Sequence, residues 1–163
     1  MLAQIYQLVE VVESKSGIVI HVAAAMPRLL GLQIYAREVE KLISRTLRRA
    51  AAAGASPSGN RSVIFAINNT AVAYSFADML RRRIDEIATR AIARKHVERV
   101  LRITQGECTR WTKDGRLPKS GNLIINRGKH QRVQVSMYSP EAVADLASRP
   151  EVINFWRRQD ALE

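Results

Sequence analysis

Apolar residues recur at helical spacing over three long segments in the first half of the chain. They follow a stripe over residues 2–12, over 29–53 and again from about Ser75 to Ala91, and each stripe predicts an amphipathic helix. Residues 62–67 form a compact apolar segment that predicts a buried strand, whereas 18–22 fits either a strand or the beginning of another helix. We therefore predict a mostly helical platform, which would include a small two-stranded pairing if both short segments are strands.

The second half begins with two short helical segments separated by a three-residue turn. Residues 91–101 place apolar side chains on one face, and a second helix is predicted at about 105–114. Thr104 and Glu107 have the spacing of a capping box, in which each side chain accepts a hydrogen bond from the other residue's backbone N–H. Gly115 can adopt the left-handed conformation that ends a helix. Two helices joined by so short a turn are typical of a helix-turn-helix.

The helix over 105–114 has a narrow apolar seam and a broad polar face. Cys108 and Trp111 stand three residues apart and are expected to face the core. The residues left pointing outward are Gln105, Gly106, Thr109, Arg110 and Lys113. Arg110 could fork to a guanine, and Lys113 is suited to a phosphate. A solvated surface helix is the alternative, since most capped basic helices of this length are only that.

A basic hairpin and a further helix follow. Residues 122–126 and 132–138 predict two strands, and the tip between them, residues 127–131, carries positive charge. Ser139 then caps a helix whose first turn contains Pro140 and an acidic residue. The tip could enter a minor groove or follow phosphates, or it could be a solvated turn.

The order of these motifs over about residues 91–147 is distinctive. The chain has Ile-Thr-x-x-x-Cys-x-Arg-Trp-x-x-x-Gly-Arg-Leu-Pro, then the basic hairpin, then Tyr-Ser-Pro-Glu-Ala-Val-x-x-Leu. This arrangement resembles the winged helix-turn-helix of the MerR and phage-excisionase superfamily. The resemblance implies a recognition helix in the major groove and a wing on the backbone or the adjacent groove. The wing is longer than is usual there, and no aromatic dimerising helix follows Ala147, so effector sensing of the MerR kind is not implied.

The residues expected to contact DNA lie on the second helix, just after it and at the hairpin. They are Gln105, Gly106, Thr109, Arg110, Lys113, Arg116, Lys119, Arg127, Lys129, His130 and Arg132. Charge supports a polyanion as the ligand, because the chain has 26 Lys+Arg against 15 Asp+Glu, and residues 89–132 alone carry a net charge of +9. The same field suits RNA, an anionic membrane or an acidic protein, so duplex DNA is the narrower hypothesis.

Patterns of catalytic and metal sites are missing from the sequence. It contains one cysteine and three scattered histidines, with no nucleophile–base pair, glycine-rich phosphate loop or metal-ligand spacing. We therefore expect no cofactor, no metal and no enzymatic activity. The leading hypothesis is a sequence-specific duplex DNA-binding protein, either a transcriptional regulator or a recombination accessory factor of phage or plasmid type. The alternatives are an RNA-binding protein that uses the same basic surface and a non-catalytic protein-interaction module.

Two regions are expected, in a mainly α fold of the α+β class. Residues 1–90 would form the helical platform, and residues 91–160 the winged helix-turn-helix with its β-hairpin wing. The platform could pair two copies into a homodimer or bind another protein, or it could only enlarge the core. No secretory signal or bilayer-spanning run is evident, so we expect a cytoplasmic, nucleoid-associated protein of a bacterium or phage.

Overall fold

A computed structural model describes residues 2–126 and 132–162 of the chain. The protein divides into two compact units, unit 1 over residues 1–88 and unit 2 over residues 89–163. Both units contain helices and a small antiparallel sheet, so the fold belongs to the α+β class.

In its described part, unit 1 packs four helices with a four-stranded antiparallel sheet. The helices are α1 (Leu2–Leu8), α2 (Leu30–Ile34), α3 (Ala36–Ala52) and α4 (Thr70–Ala88), the last preceded by a 3-10 turn over Ile67–Asn69. The strands are β1 (Val9–Ser14), β2 (Gly17–Val22), β3 (Ser56–Pro57) and β4 (Ser62–Phe65), in the order β1-β2-β4-β3. Apolar side chains of the sheet and of all four helices form one continuous core.

The pairing considered for the two short apolar segments is present, but it is the centre of a larger sheet. β2 pairs with β4 in antiparallel register, with Ile20 opposite Val63, and β1 pairs with the other edge of β2. The prediction of one helix over residues 2–12 was wrong, because α1 ends at Leu8 and β1 begins at Val9. Three of the four residues 9–12 are valines, which favour a strand, and pairing with β2 stabilises it.

The long helix predicted over 29–53 is two helices, α2 and α3, that meet at Tyr35. Tyr35 has φ −102° and ψ 21°, and its backbone N–H donates to the carbonyl oxygen of Gly31. Gly31 lies so close to α4 that a Cβ there would stand 1.9 Å from the backbone oxygen of Ala88. A residue without a side chain is therefore required where α2 meets α4.

The described part of unit 2 combines four helices with a three-stranded antiparallel sheet. The helices are α5 (Arg94–Leu101), α6 (Gln105–Lys113), α7 (Pro140–Ala147) and α8 (Pro150–Asp160), and the strands are β5 (Ile92–Ala93), β6 (Gly121–Asn126) and β7 (Arg132–Tyr138). The sheet order is β5-β7-β6, so the short strand before α5 pairs with β7. The predicted hairpin tip, residues 127–131, lies outside the described residues.

Two tryptophans and a tyrosine form the centre of unit 2. Trp111 is fully buried and meets the ring of Trp156 edge-on, with ring centroids 5.1 Å apart. Tyr138 is also buried, and its hydroxyl oxygen lies 2.8 Å from Thr112 Oγ1 and 3.7 Å from Cys108 Sγ. The predictions that Trp111 and Cys108 face the core are confirmed. The face of β7 that carries Tyr138 is therefore the one turned toward α6.

Candidate nucleic-acid interface

The turn between α5 and α6 is held both by its own backbone and by α8. Arg102 ends α5 in the left-handed conformation, with φ 53° and ψ 47°, which costs a residue other than glycine about 1 kcal/mol. The guanidinium of Arg157 donates to the carbonyl oxygen of Arg102 at 2.8 Å. The N–H of Ile103 donates to the carbonyl oxygen of Glu98 at 3.0 Å. These two bonds stabilise the turn and with it the direction of α6.

The predicted capping box at the start of α6 is confirmed. Thr104 Oγ1 accepts from the backbone N–H of Glu107 at 3.1 Å, and Glu107 Oε2 accepts from the backbone N–H of Thr104 at 2.6 Å. Arg157 Nε also donates to Glu107 Oε1 at 2.6 Å. The bond from Arg157 and those of the capping box hold the pKa of the Glu107 carboxyl below its ordinary value, although burial acts in the opposite direction. At the other end of the segment, Gly115 has φ +86°.

The polar face predicted for α6 is open to solvent. Its exposed residues include Gln105, Gly106, Thr109 and Lys113. Three of them are spaced four residues apart, so they form a row along one line of the helix surface, away from Cys108 and Trp111. This row presents an amide, a hydroxyl and an ammonium group, and the glycine beside it adds no steric bulk. Such a surface allows close approach of a ligand that carries hydrogen-bond donors and acceptors.

An open groove of about 920 Å³ runs between α6, the beginning of α5 and the sheet. Its charged lining residues are Arg94, Lys95, Glu98, Lys113 and Lys119. Glu98 forms an ion pair with Arg94, with 3.1 Å between carboxylate oxygen and guanidinium nitrogen. Four cationic side chains therefore face one paired carboxylate among the described lining residues. This imbalance gives the groove a positive potential that favours a polyanion.

The opposite flank of α6 is occupied by the end of α8. Asp160 Oδ2 accepts from Trp111 Nε1 at 2.9 Å and lies 3.1 Å from Arg110 Nη1. Asp160 Oδ1 accepts from Arg116 Nη2 at 2.7 Å. Burial raises the pKa of Asp160, but the hydrogen bonds from Arg116 and Trp111 and the two nearby positive charges outweigh it, so that the pKa lies below its ordinary value. The carboxylate therefore stays ionised at neutral pH.

The structure places the predicted contact residues in different surroundings. Those on the open face of α6 or in the groove are Gln105, Gly106, Thr109, Lys113 and Lys119. Two arginines instead reach the α8 flank, namely Arg110 and Arg116. Arg132 is exposed at the start of β7. The residues that lie outside the described part of the chain are Arg127, Lys129 and His130.

Several polar residues of the groove were missed by the sequence analysis. They are Arg94, Lys95, Thr112, Gln134 and Ser136. Alternation along β7 puts Gln134 and Ser136 on the same strand face as Tyr138, but nothing in the sequence says that this face meets α6. Asp160 was also missed, because it lies about fifty residues from the helix that it contacts.

The buried thiol of Cys108 has the properties of a core residue. Burial raises its pKa, so it stays protonated at neutral pH, whereas reactive cysteines have a lowered pKa and access to solvent. The same effect of burial raises the pKa of the Tyr138 hydroxyl. The Cys108–Tyr138 pair therefore packs the inner side of α6.

Comparison with known proteins assigns no family to this chain. No family model matches the chain, and no curated protein or solved structure matches it. Within residues 2–126 and 132–162, no helix has the length and apolar character needed to cross a bilayer. In the same residues, no cluster of three or more His, Cys, Asp or Glu side chains could hold a metal ion. The resemblance to the MerR and excisionase superfamily stays an expectation from the motifs of residues 91–147.

Proposed function

We propose that unit 2 is a winged helix-turn-helix that binds duplex DNA, with the open face of α6 in the major groove. The observation that carries the proposal is the groove beside α6. Its described lining residues include four cationic side chains and several uncharged polar ones, and the acidic residue among them, Glu98, is already paired with Arg94. Uncharged polar groups suit base edges, while cationic groups suit phosphates.

The exposed positions of α6 divide between these two tasks. Gln105 and Thr109 are exposed at the N-terminal half of the helix, where an amide and a hydroxyl could pair with base edges. Lys113 and Lys119 line the groove and would contact phosphates. Wing contacts stay predictions for the exposed Arg132 and for the tip residues Arg127, Lys129 and His130. We assign a different role to Arg116, which contacts α8.

The distribution of aromatic side chains favours duplex DNA over single-stranded RNA. Proteins that bind single strands commonly stack bases on exposed aromatic rings. In the described part of unit 2, Trp111, Tyr138 and Trp156 are buried, and the exposed Phe155 lies on α8 rather than in the groove. Among the described residues, Tyr138 is the aromatic side chain that lines the groove, and it is buried, so these residues offer charge and hydrogen bonds but no exposed ring for stacking.

Pairing of two copies through residues 1–90 is part of the same proposal. One recognition helix with one wing buries little surface on DNA, and such modules commonly bind as dimers on two half-sites about one helical turn apart. A palindromic selected site with that spacing would support pairing, and a single unrepeated site together with a monomeric mass in solution would contradict it.

Selection of bound fragments from a random duplex library tests the function directly. We expect an enriched site, and fluorescence anisotropy on that site should show affinity that falls steeply as salt rises, because cationic side chains displace counterions. A single-stranded RNA of matched length should compete less well than the selected duplex at the same salt. No enrichment, or stronger competition by the RNA, would contradict the proposal.

Replacement of one groove cation gives a sharper test. Lys113→Gln should weaken binding to all duplexes alike and make the slope of log affinity against log salt shallower by about one unit. Lys41→Gln is the matched control, since it removes the same charge from an exposed position of α3 in unit 1. Equal effects of the two substitutions would mean that only net charge matters and that the groove is not the contact surface.

A further inference from the structure

Asp160 binds two arginines of the α6 region in different ways. Its carboxylate contacts Arg110 Nη1 at 3.1 Å and Arg116 Nη2 at 2.7 Å, and it accepts from Trp111 Nε1 at 2.9 Å. Only 9% of the Asp160 side chain is exposed. A carboxylate with so many partners and so little contact with water is held firmly in place.

Arg116 has few donors left for another ligand. Its Nε donates to Asp114 Oδ2 at 2.8 Å, and its Nη2 contacts both Asp114 and Asp160. The side chain is 22% exposed. Arg116 therefore links the end of α6 to α8.

Arg110 is engaged at one nitrogen and is otherwise open. Its side chain is 51% exposed, and Asp160 is the partner that the described residues provide for it. Arg110 follows Gly106 by four residues and precedes Lys113 by three, so it lies beside them, at the border between the α8 flank and the open face of the helix. A guanidinium has five donors in a planar fork, so the half-exposed Arg110 side chain has donors that the contact with Asp160 does not occupy. Arg110 is therefore held by Asp160 and still has N–H donors available for a ligand.

We propose that Asp160 is a positioning residue that orients Arg110 for contact with a base edge. This inference rests on the proposed function, duplex DNA binding by α6. Free arginine side chains sample many rotamers, and contact with a fixed carboxylate restricts them before the ligand arrives, so less conformational entropy is lost on binding. Asp160 itself cannot swing away with Arg110, because Trp111 and Arg116 hold it.

The experiment compares site preference, defined as affinity for the selected duplex divided by affinity for a scrambled duplex. Asp160→Asn removes the charge and keeps an oxygen that can accept from Trp111. We expect it to lower the site preference by about threefold to tenfold, while affinity for the scrambled duplex stays equal or rises slightly. Glu151→Gln is the matched control, because it removes the same charge from an exposed position at the start of α8, and its site preference should equal that of the wild type.

Dependence on Arg110 separates positioning from a general effect on structure. Arg110→Ala should also lower site preference, and adding Asp160→Asn to that variant should lower it no further. All comparisons are made at a temperature at which tryptophan fluorescence shows each variant folded. If Asp160→Asn has no such temperature, Asp160→Glu replaces it, and the same loss is expected because the longer side chain displaces the carboxylate from Arg110.

Three results would overturn the inference. The first is a site preference of the Asp160 variant equal to that of Glu151→Gln. The second is an affinity of the Asp160 variant for the selected duplex that exceeds that of Glu151→Gln. The third is a fall in site preference when Asp160→Asn is added to Arg110→Ala. The second result would mean that the Asp160 carboxylate competes with DNA for Arg110. If the wild type itself had no preferred duplex, the proposed function would fail together with the inference, whereas the other results leave duplex binding intact.

Discussion

The capping box of α6 allows helix stability and ligand contact to be separated within one helix. Thr104→Ala removes the oxygen that accepts from the backbone N–H of Glu107 at 3.1 Å. The second half of the box remains, because an alanine there keeps the N–H that donates to the Glu107 carboxylate, and Arg157 still holds that carboxylate. One exposed cap bond is lost, so we expect unfolding of unit 2 to require about 1 kcal/mol less free energy.

Thr109→Ala is the matched control, since it makes the same chemical change five residues further along. Thr109 Oγ1 donates at 2.8 Å to the carbonyl oxygen of Gln105, an arrangement that adds little to helix stability. Alanine has the better helix propensity, so the stability should stay equal or rise by a few tenths of a kcal/mol. Affinity for the selected duplex should fall for Thr109→Ala and, at temperatures where unit 2 is folded, stay unchanged for Thr104→Ala.

Tryptophan fluorescence measures these effects in unit 2 alone, because both tryptophans of the chain, Trp111 and Trp156, belong to it. For a domain of this size, about 1 kcal/mol corresponds to a fall in Tm of roughly 4–8 °C. Equal melting temperatures for wild type and Thr104→Ala would refute the reasoning about the cap. Equal falls in Tm for both threonine variants would show that loss of either hydroxyl lowers the stability, so that the cap bond has no special role.

Two further substitutions test other parts of the structure. Glu107→Gln should lower Tm at neutral pH and make Tm depend less on pH in the acid range. The pKa of Glu107 is lowered in the folded protein, so its stabilisation is present above the unfolded pKa of about 4.3 and is lost as pH falls through the folded pKa. Thermal melts of wild type and variant at several pH values between 3 and 7 check this, and parallel curves of Tm against pH would contradict it. Gly17→Ala should cost unit 1 about 2–3 kcal/mol, because Gly17 has φ +140° and a Cβ there would stand 2.2 Å from the carbonyl oxygen of Phe65. Urea unfolding followed by far-UV circular dichroism measures that cost, and Gly54→Ala, which has φ +98° but open space around it, should cost less; equal costs would rule out the steric explanation.

Local spacing was enough to predict α6 in detail. A capping box involves residues three apart, and the inward positions Cys108 and Trp111 are also three apart. These interactions form within a single turn or two of helix, so the sequence specifies their partners directly. The same holds for the helix that Ser139 caps, since Ser139 Oγ accepts from the backbone N–H of Ala142.

Contacts between residues distant in the sequence could not be predicted from local spacing. The apolar stripe over 2–12 fits a helix, yet pairing with β2 makes residues from Val9 onward a strand. Likewise, the sequence shows Arg110 as an outward cation, and only the packing of α8 brings Asp160 to it.

The sequence by itself determined which helix of unit 2 carries an open polar face and how that helix begins. The tertiary structure alone decided which cations share the groove with that face and which arginine is anchored by a carboxylate. The physical reason is the separation of the interacting residues along the sequence. Capping and helical periodicity act between residues three or four apart, whereas a groove or an ion pair between helices depends on which apolar faces pack against each other in the folded chain.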